Sequence, residues 1–339
     1  MGSTTSGRHD ALPGVVAVGA SAGGVEALSQ FVGGLKQDLP YAVLIVLHMP
    51  PNAPSVLAKI LDRSGLLPAA TAIDGAPIEP GRVYVCAPDR HLLVADGHLI
   101  LSSGPTESGH RPAINALFRS VALSFGPRAI GVLLSGVLDD GVLGAAAIRS
   151  RGGTTVIQTP SDALFAAMPL NAIQAGVADH QAAASDVGGV LTKLLEREIE
   201  VRDMEPDKAM ELENRIAMGR RFSTNIDAED LGPHSGYICP DCHGSLIEAG
   251  PGSFRCRVGH AWTADALLKA RDDEIEGAIW VALRSLREKA KMSRRLANTV
   301  GPGTVRQRYL ETADEADRAA MVLGEHLSTT APHGELGAT

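Results

Sequence analysis

Three apolar runs in this chain lead into residues suited to acyl transfer. The first is Gly14-Val-Val-Ala-Val-Gly-Ala-Ser21-Ala-Gly-Gly24, an uncharged stretch that reads as a buried strand turning into a helix at Val25. Its Gly19-Ala-Ser21-Ala-Gly23 turn fits G-x-S-x-G. That turn lifts a serine hydroxyl to the tip of a strand and sets its backbone beside a helix N-terminus. The second run, Ala42–Leu47, ends at His48. The third, Ala129–Leu134, leads into Ser135-Gly-Val-Leu-Asp139-Asp140-Gly141. A hydroxyl, an imidazole and a carboxylate can serve as nucleophile, base and orienter of the base. The order serine, histidine, aspartate differs from the serine, aspartate, histidine order usual in α/β hydrolases. Two other readings of the first turn remain. Glycine-rich strand-to-helix turns also bind dinucleotides, but Ser21 takes the middle glycine position, and the second strand ends in His48 instead of the ribose-binding acid. The last reading is a turn with no chemistry. Singly, His48 is a polar residue at a loop start, and Asp139-Asp140-Gly141 is an ordinary helix entry.

For the three groups to meet, their strands must share one sheet edge. Apolar strands alternate with helical stretches at 25–35, 55–64, 113–125, 142–150, 169–175 and 183–195. Shorter strands are expected at 69–73, 82–87, 154–158 and 177–178, with a hairpin of 92–95 and 98–101 around Asp96-Gly97. Uniformly apolar strands alternating with helices predict an α/β fold: a mostly parallel, doubly wound sheet with helices on both faces. Such sheets carry their sites at the carboxyl ends of the strands.

The expected organisation is a disordered tail at 1–12, the α/β catalytic domain at 13–197, a charged linker at 198–235, a small zinc module at 236–262, a long helical hairpin at 263–327 and a disordered tail at 328–339. Within the linker, Met210, Leu212, Ile216 and Met218 form a pattern able to dock. In the hairpin, Leu268, Ile275, Ile279, Leu283, Leu286 and Leu296 make one stripe, broken at Gly301-Pro302-Gly303. That stripe suits self-association or partner docking, or a fold back onto the catalytic domain.

A formal net charge of −8 argues against nucleic acid as a partner. The apolar runs are too short to insert in a membrane, and no secretory signal is visible. The cysteines point to a reducing, cytoplasmic setting. Cys239-Pro-Asp-Cys242 and Cys256-Arg-Val-Gly-His260 give C-x2-C followed by C-x3-H, a closed set for structural zinc. His243 is the competing imidazole, poorly placed directly after Cys242. No cofactor is needed for the acyl chemistry.

Residues 14–195 resemble the catalytic domain of the chemotaxis protein-glutamate methylesterases. The matching stretches are Val18–Gly24, Leu47-His-Met-Pro-Pro51, Ala87-Pro88 with His91, His110-Arg-Pro112 with Leu117–Val121, Leu134-Ser-Gly136 with Asp140-Gly141, and Ala167-Met-Pro169. The resemblance implies Ser21 as nucleophile, His48 as base and Asp140 as its partner, since Asp139 falls where the family often has Asn. It places oxyanion donors at the backbone N–H groups next to Ala22 and Val137. It implies hydrolysis of glutamyl methyl esters on receptor helices, with glutamine deamidation in some relatives. Ala22, Val137, Asn115 and Leu170 depart from the frequent Thr, Met, Asp and Arg. The usual receiver domain is not expected ahead of Gly14, so regulation should differ. Arg111 either orients the substrate or intermediate, or pairs structurally across its loop. The partner is then a methylated receptor helix or another methyl-ester-bearing protein. The competing function is a non-catalytic adaptor that binds partners through its zinc and helical arm.

Overall fold

The computed structural model describes residues 12–52, 56–197, 205–219 and 232–330. Residues 1–11 and 331–339 of the tails expected at 1–12 and 328–339, and the linker stretches 198–204 and 220–231, lie outside the described residues. The chain divides into two compact units, Met1–Leu267 and Leu268–Thr339.

The first unit is built on β1 (Val15–Ala20), β2 (Ala42–Leu47), β3 (Ala69–Thr71), β4 (Val83–Val85), β7 (Ala129–Leu133), β8 (Thr154–Gln158) and β9 (His180–Ala182). They form one sheet in the order β3-β4-β2-β1-β7-β8-β9. Every pairing in it is parallel. The α/β fold expected from the alternation is the fold observed. β1 and β2 are buried at every residue, as strands covered on both faces must be. One face packs against α1 (Gly24–Gly33), α2 (Leu57–Ser64) and α6 (Val187–Leu195), through Leu28, Phe31, Leu61 and Leu191. The other packs against α3 (Ile114–Phe125), α4 (Val142–Ser150) and α5 (Ala167–Gln174), through Leu117, Phe118, Ile148 and Ala172. Each such fully buried Leu or Phe contributes about 1.5–3 kcal/mol. The Asp96-Gly97 hairpin pairs β5 (His91–Ala95) with β6 (His98–Ser102) as a separate ribbon, both turn residues at positive φ.

One local expectation moves. The last sheet strand is His180–Ala182, not 177–178, and it pairs with β8. Within the stretch read as a linker with some helical pieces, residues 208–217 form α7 (Lys208–Ala217), capped by Asp207 accepting from the Met210 N–H at 2.9 Å. Met210, Ile216 and Ala217 are buried, so the docking pattern outweighs the charged composition.

A second sheet completes this unit. β10 (His234–Ile238), β11 (Ser245–Gly250), β12 (Ser253–Cys256) and β13 (Ala261–Thr263) run antiparallel in that order. It is anchored to the loop before α3: Ser108 N–H donates to Ala261 O at 2.7 Å, and Ala261 N–H to Thr106 O at 3.1 Å.

The second unit is a helical hairpin of α8 (Ala264–Thr299), from Leu268 onward, and α9 (Thr304–Thr330), the latter running into the stretch expected as tail. Its seam joins Leu286 and Ala290 to Ala313 and Ala316, with Ala297 and Ala320 also buried. Arg294 pairs across it with Asp314 and Asp317. The expected stripe is corrected here, because Leu268, Ile275 and Leu296 are exposed. Alanine lets two helices approach closely, so the seam follows the small residues and passes Leu296 by one position.

Candidate active site

The turn after β1 carries Ser21. Gly23 has φ 67°, and a Cβ there would stand 2.8 Å from Ser135 Oγ, so the turn demands glycine. Ser21 N–H donates to Ser135 O at 2.9 Å, tying this turn to the loop after β7. Gly136 faces Ser21 directly, since a Cβ on it would meet the Ser21 Cβ at 3.0 Å. His48 follows the last residue of β2, and its N–H donates to Ala20 O at 3.1 Å, the last residue of β1. Asp140 lies in the loop between β7 and α4.

The three side chains form one hydrogen-bonded line. His48 Nδ1 lies 3.2 Å from Ser21 Oγ, and His48 Nε2 lies 2.7 Å from Asp140 Oδ2. A carboxylate can only accept, so the imidazole proton sits on Nε2 and Nδ1 is free to take the serine proton. Asp140 also accepts the N–H of Ile114 at 2.7 Å and of Asn115 at 3.0 Å. It thereby caps α3, whose own N-cap residue, Ala113, offers no side-chain acceptor. Burial alone would raise its pKa, but the hydrogen bond and charge of His48, with His110 and the helix amide, hold it below the ordinary value. Asn115 completes the support, its Oδ1 accepting from Gly141 N–H at 3.0 Å and Gly144 N–H at 2.7 Å.

Sequence reasoning assigned His110 no role. Its ring stacks on His48 at 3.8 Å, with planes 12° apart. Burial first, then the charge of His48, lowers its pKa to about 4. At neutral pH it is therefore an uncharged plate against the His48 ring. The available signal was its place in His110-Arg-Pro112, but spacing does not report stacking. Among the described residues, no hydrogen-bond partner engages the backbone N–H of Ala22 or Val137, the two positions named for an oxyanion. Arg111 lies elsewhere in its interactions: Nε and Nη2 donate to Asp89 Oδ1 at 2.9 and 2.6 Å, and Nη1 to Gly104 O at 2.9 Å. Asp139 does not reach His48. It accepts from Thr263 Oγ1 at 2.8 Å, and burial raises its pKa to about 6.

Cys239, Cys242, Cys256 and His260 come together with all four ligand atoms within 4.8 Å. Cys256 Sγ to His260 Nδ1 is 3.5 Å, Cys242 Sγ to Cys256 Sγ 3.6 Å and Cys239 Sγ to His260 Nδ1 3.7 Å. A tetrahedral ion bonded at about 2.3 Å to sulfur and about 2.0 Å to nitrogen puts neighbouring ligands roughly 3.5–3.8 Å apart. The residues fit such an ion. His243 is not in the cluster; its φ of 58° closes the turn after Cys242.

The family model described as CheB methylesterase matches residues 16–191, more than half of the chain. The chain belongs to the CheB methylesterase family. It is 38% identical over 173 residues to a protein-glutamate methylesterase/protein-glutamine glutaminase of Methanosarcina mazei, covering 49% of this chain and 47% of that protein. It is 40% identical over 185 residues to one of Anaeromyxobacter dehalogenans, covering 54% of each. The CheB methylesterase catalytic domain of Thermotoga maritima superposes with a TM-score of 0.52 at 29% identity, covering 53% of this chain and 98% of that one. The chain spans about half the length of the relatives it matches. Ser21, His48 and Asp140 fall inside the family region, and the cysteine–histidine cluster falls outside it. No helix among the described residues is long and apolar enough to cross a membrane.

Proposed function

We propose that this protein is a serine hydrolase that cleaves glutamyl methyl esters on chemotaxis-type receptor helices or another methyl-ester-bearing protein. The observation that carries the reading is the unbroken line Ser21–His48–Asp140 at the ends of the parallel strands. Family membership and the names of the relatives support the substrate class. His48 Nδ1 removes the Ser21 proton as Oγ attacks the ester carbonyl, and Asp140 stabilises the resulting imidazolium. The free N–H groups of Ala22 and Val137 receive the oxyanion. The imidazolium returns its proton to the departing methoxide, giving methanol and an acyl-enzyme. Water, activated by the same His48, then releases the carboxylate. Glutamine deamidation follows the same course with ammonia leaving.

In this reading the cysteine–histidine cluster holds a structural zinc. Three thiolates and one imidazole fill four positions and leave none for substrate. A cytoplasmic setting belongs to the same reading, supported by cysteines in metal-type rather than disulfide-type spacing. Self-association through α8 and α9 is a companion proposal, supported by exposed Trp280, Val281, Met292 and Met321 on the hairpin. Arg111 would act by shaping its loop through Asp89 and Gly104.

The test is methanol release from methylated receptor preparations. Ser21→Ala should lower the rate by at least about 10³-fold. Release unchanged by that substitution would sink the hydrolase reading. A wild type without turnover, whose phenotype needs residues 236–327 and tolerates His48→Ala, would favour the adaptor.

A further inference from the structure

We propose that Thr263, the last residue of β13, is a positioning residue for the esterase site, and that the cysteine–histidine sheet is thereby a working part of that site. The proposal rests on the hydrolase reading. Thr263 is buried, and its hydroxyl already accepts the Ala266 N–H at 3.2 Å. Its own proton goes to Asp139 Oδ1 at 2.8 Å. Asp139 is the neighbour of the triad carboxylate, so this bond grips the loop that delivers Asp140.

That loop needs gripping. Leu138, just before Asp139, has φ 61°, a conformation that costs a non-glycine residue free energy and persists only when its surroundings impose it. Asn171 Nδ2 holds one side by donating to Leu138 O at 2.8 Å. Thr263 holds the other. Thr263 and Gly144, the latter just past this loop, both line a cavity of about 350 Å³ together with Ser108, Asn115 and Trp262.

The same sheet reaches the base from a second direction. β13 bonds the loop at 106–108, and Thr106 Oγ1 donates to Asp241 Oδ2 at 2.6 Å. That loop continues to His110, the plate stacked on His48. β13 itself is only three residues long and directly follows His260. Its partner β12 ends in Cys256, with Ser253 opposite Thr263. A metal held by Cys256 and His260 would therefore fix the start of the strand that ends in Thr263.

The experiment pairs methanol release with hydrogen exchange on the full chain. Thr263→Val keeps the shape and loses the hydroxyl. It should lower kcat about tenfold at little change in KM, the size expected for one hydrogen bond to a charged group. Thr263→Ser should restore kcat. Asp139→Ala should match Thr263→Val, and the double variant should lose no more than either alone. Amides of residues 138–144 should exchange faster in Thr263→Val, and in the wild type after a chelator strips the metal. Wild-type kcat and exchange in Thr263→Val, additive losses in the double variant, or no rescue by Ser would overturn the proposal. If the wild type releases no methanol, the hydrolase reading fails. Exchange at 138–144 then still decides whether Thr263 holds the loop.

Discussion

In the parallel sheet β1, β2 and β7 are buried along their whole lengths, and the reactive side chains stand just beyond their ends. In the antiparallel sheet the reactive side chains take the place of a core. Its buried apolar residues are few, chiefly Leu246, Ile247, Phe254 and Trp262, while Cys239 and Cys256 are buried with them. The first region separates stability from its reactive groups, which leaves a serine, a histidine and an aspartate hydrogen-bonded to one another beyond the packed strands. The second brings its thiols and imidazole together inside the sheet. On the proposed reading, similar residue types become catalytic or structural according to whether the scaffold can stand without them.

Denying the cluster its proposed metal tests this most severely. Structural zinc in small peptides is worth about 10–16 kcal/mol, and four apolar side chains at about 1.5–3 kcal/mol each cannot replace it once chain entropy is counted. A chelator, or Cys256→Ser, should strip hydrogen-exchange protection from β10–β13 while β1, β2 and β7 keep theirs. Protection that survives in β10–β13 would show that this sheet has a sufficient core of its own.

The next test reverses the case. Asp140→Asn should cut kcat by about 10⁴-fold, because an amide cannot hold His48 in the tautomer with its proton on Nε2. The loss in stability should be only about 1–3 kcal/mol, from mispaired amides at Ile114 and Asn115. Steady-state kinetics and urea unfolding separate the two. Activity within tenfold of wild type would remove Asp140 from the triad.

These contrasts also explain what could be read in advance. The apolar strands and their reactive ends were legible because a strand buried on both faces shows as an uninterrupted apolar run. The cysteine–histidine set was legible because metal geometry constrains spacing. The stack of His110 on His48 was not, since it joins two loops far apart in sequence. Nor was the choice of Nδ1 towards Ser21, which depends on the angle at which β2 delivers His48. The contact of Thr263 with Asp139 spans 124 positions and belongs to no local pattern. The docking face of α7 was legible in the spacing of Met210 and Ile216, while its charged composition hid how firmly the helix packs. The hairpin seam was only partly legible: Leu283 is buried and Leu286 packs on the seam as the stripe implies, but the other seam positions are alanines, and pattern reading gives weight to large apolar side chains.

The smallest effect lies where the two regions touch. Burial raises the Asp139 pKa to about 6, with the nearby Asp140 charge adding and the Thr263 hydrogen bond opposing. A carboxyl whose folded pKa exceeds its unfolded value of about 3.9 favours the folded state while protonated. That contribution is fully present below about pH 4 and is lost as pH rises through about 6. Above pH 6 the ionised Asp139 is a cost, reduced to roughly 1 kcal/mol by its partial exposure to water. Asp139→Asn removes the charge and keeps an acceptor for Thr263. The variant should be more stable than wild type at pH 8 by about 1 kcal/mol, with the gap closing towards pH 4. Urea midpoints at the two pH values measure it. A gap that stays constant or widens on acidification would mean that Asp139 is ionised at little cost, and that the contact between the sheets is a solvated one.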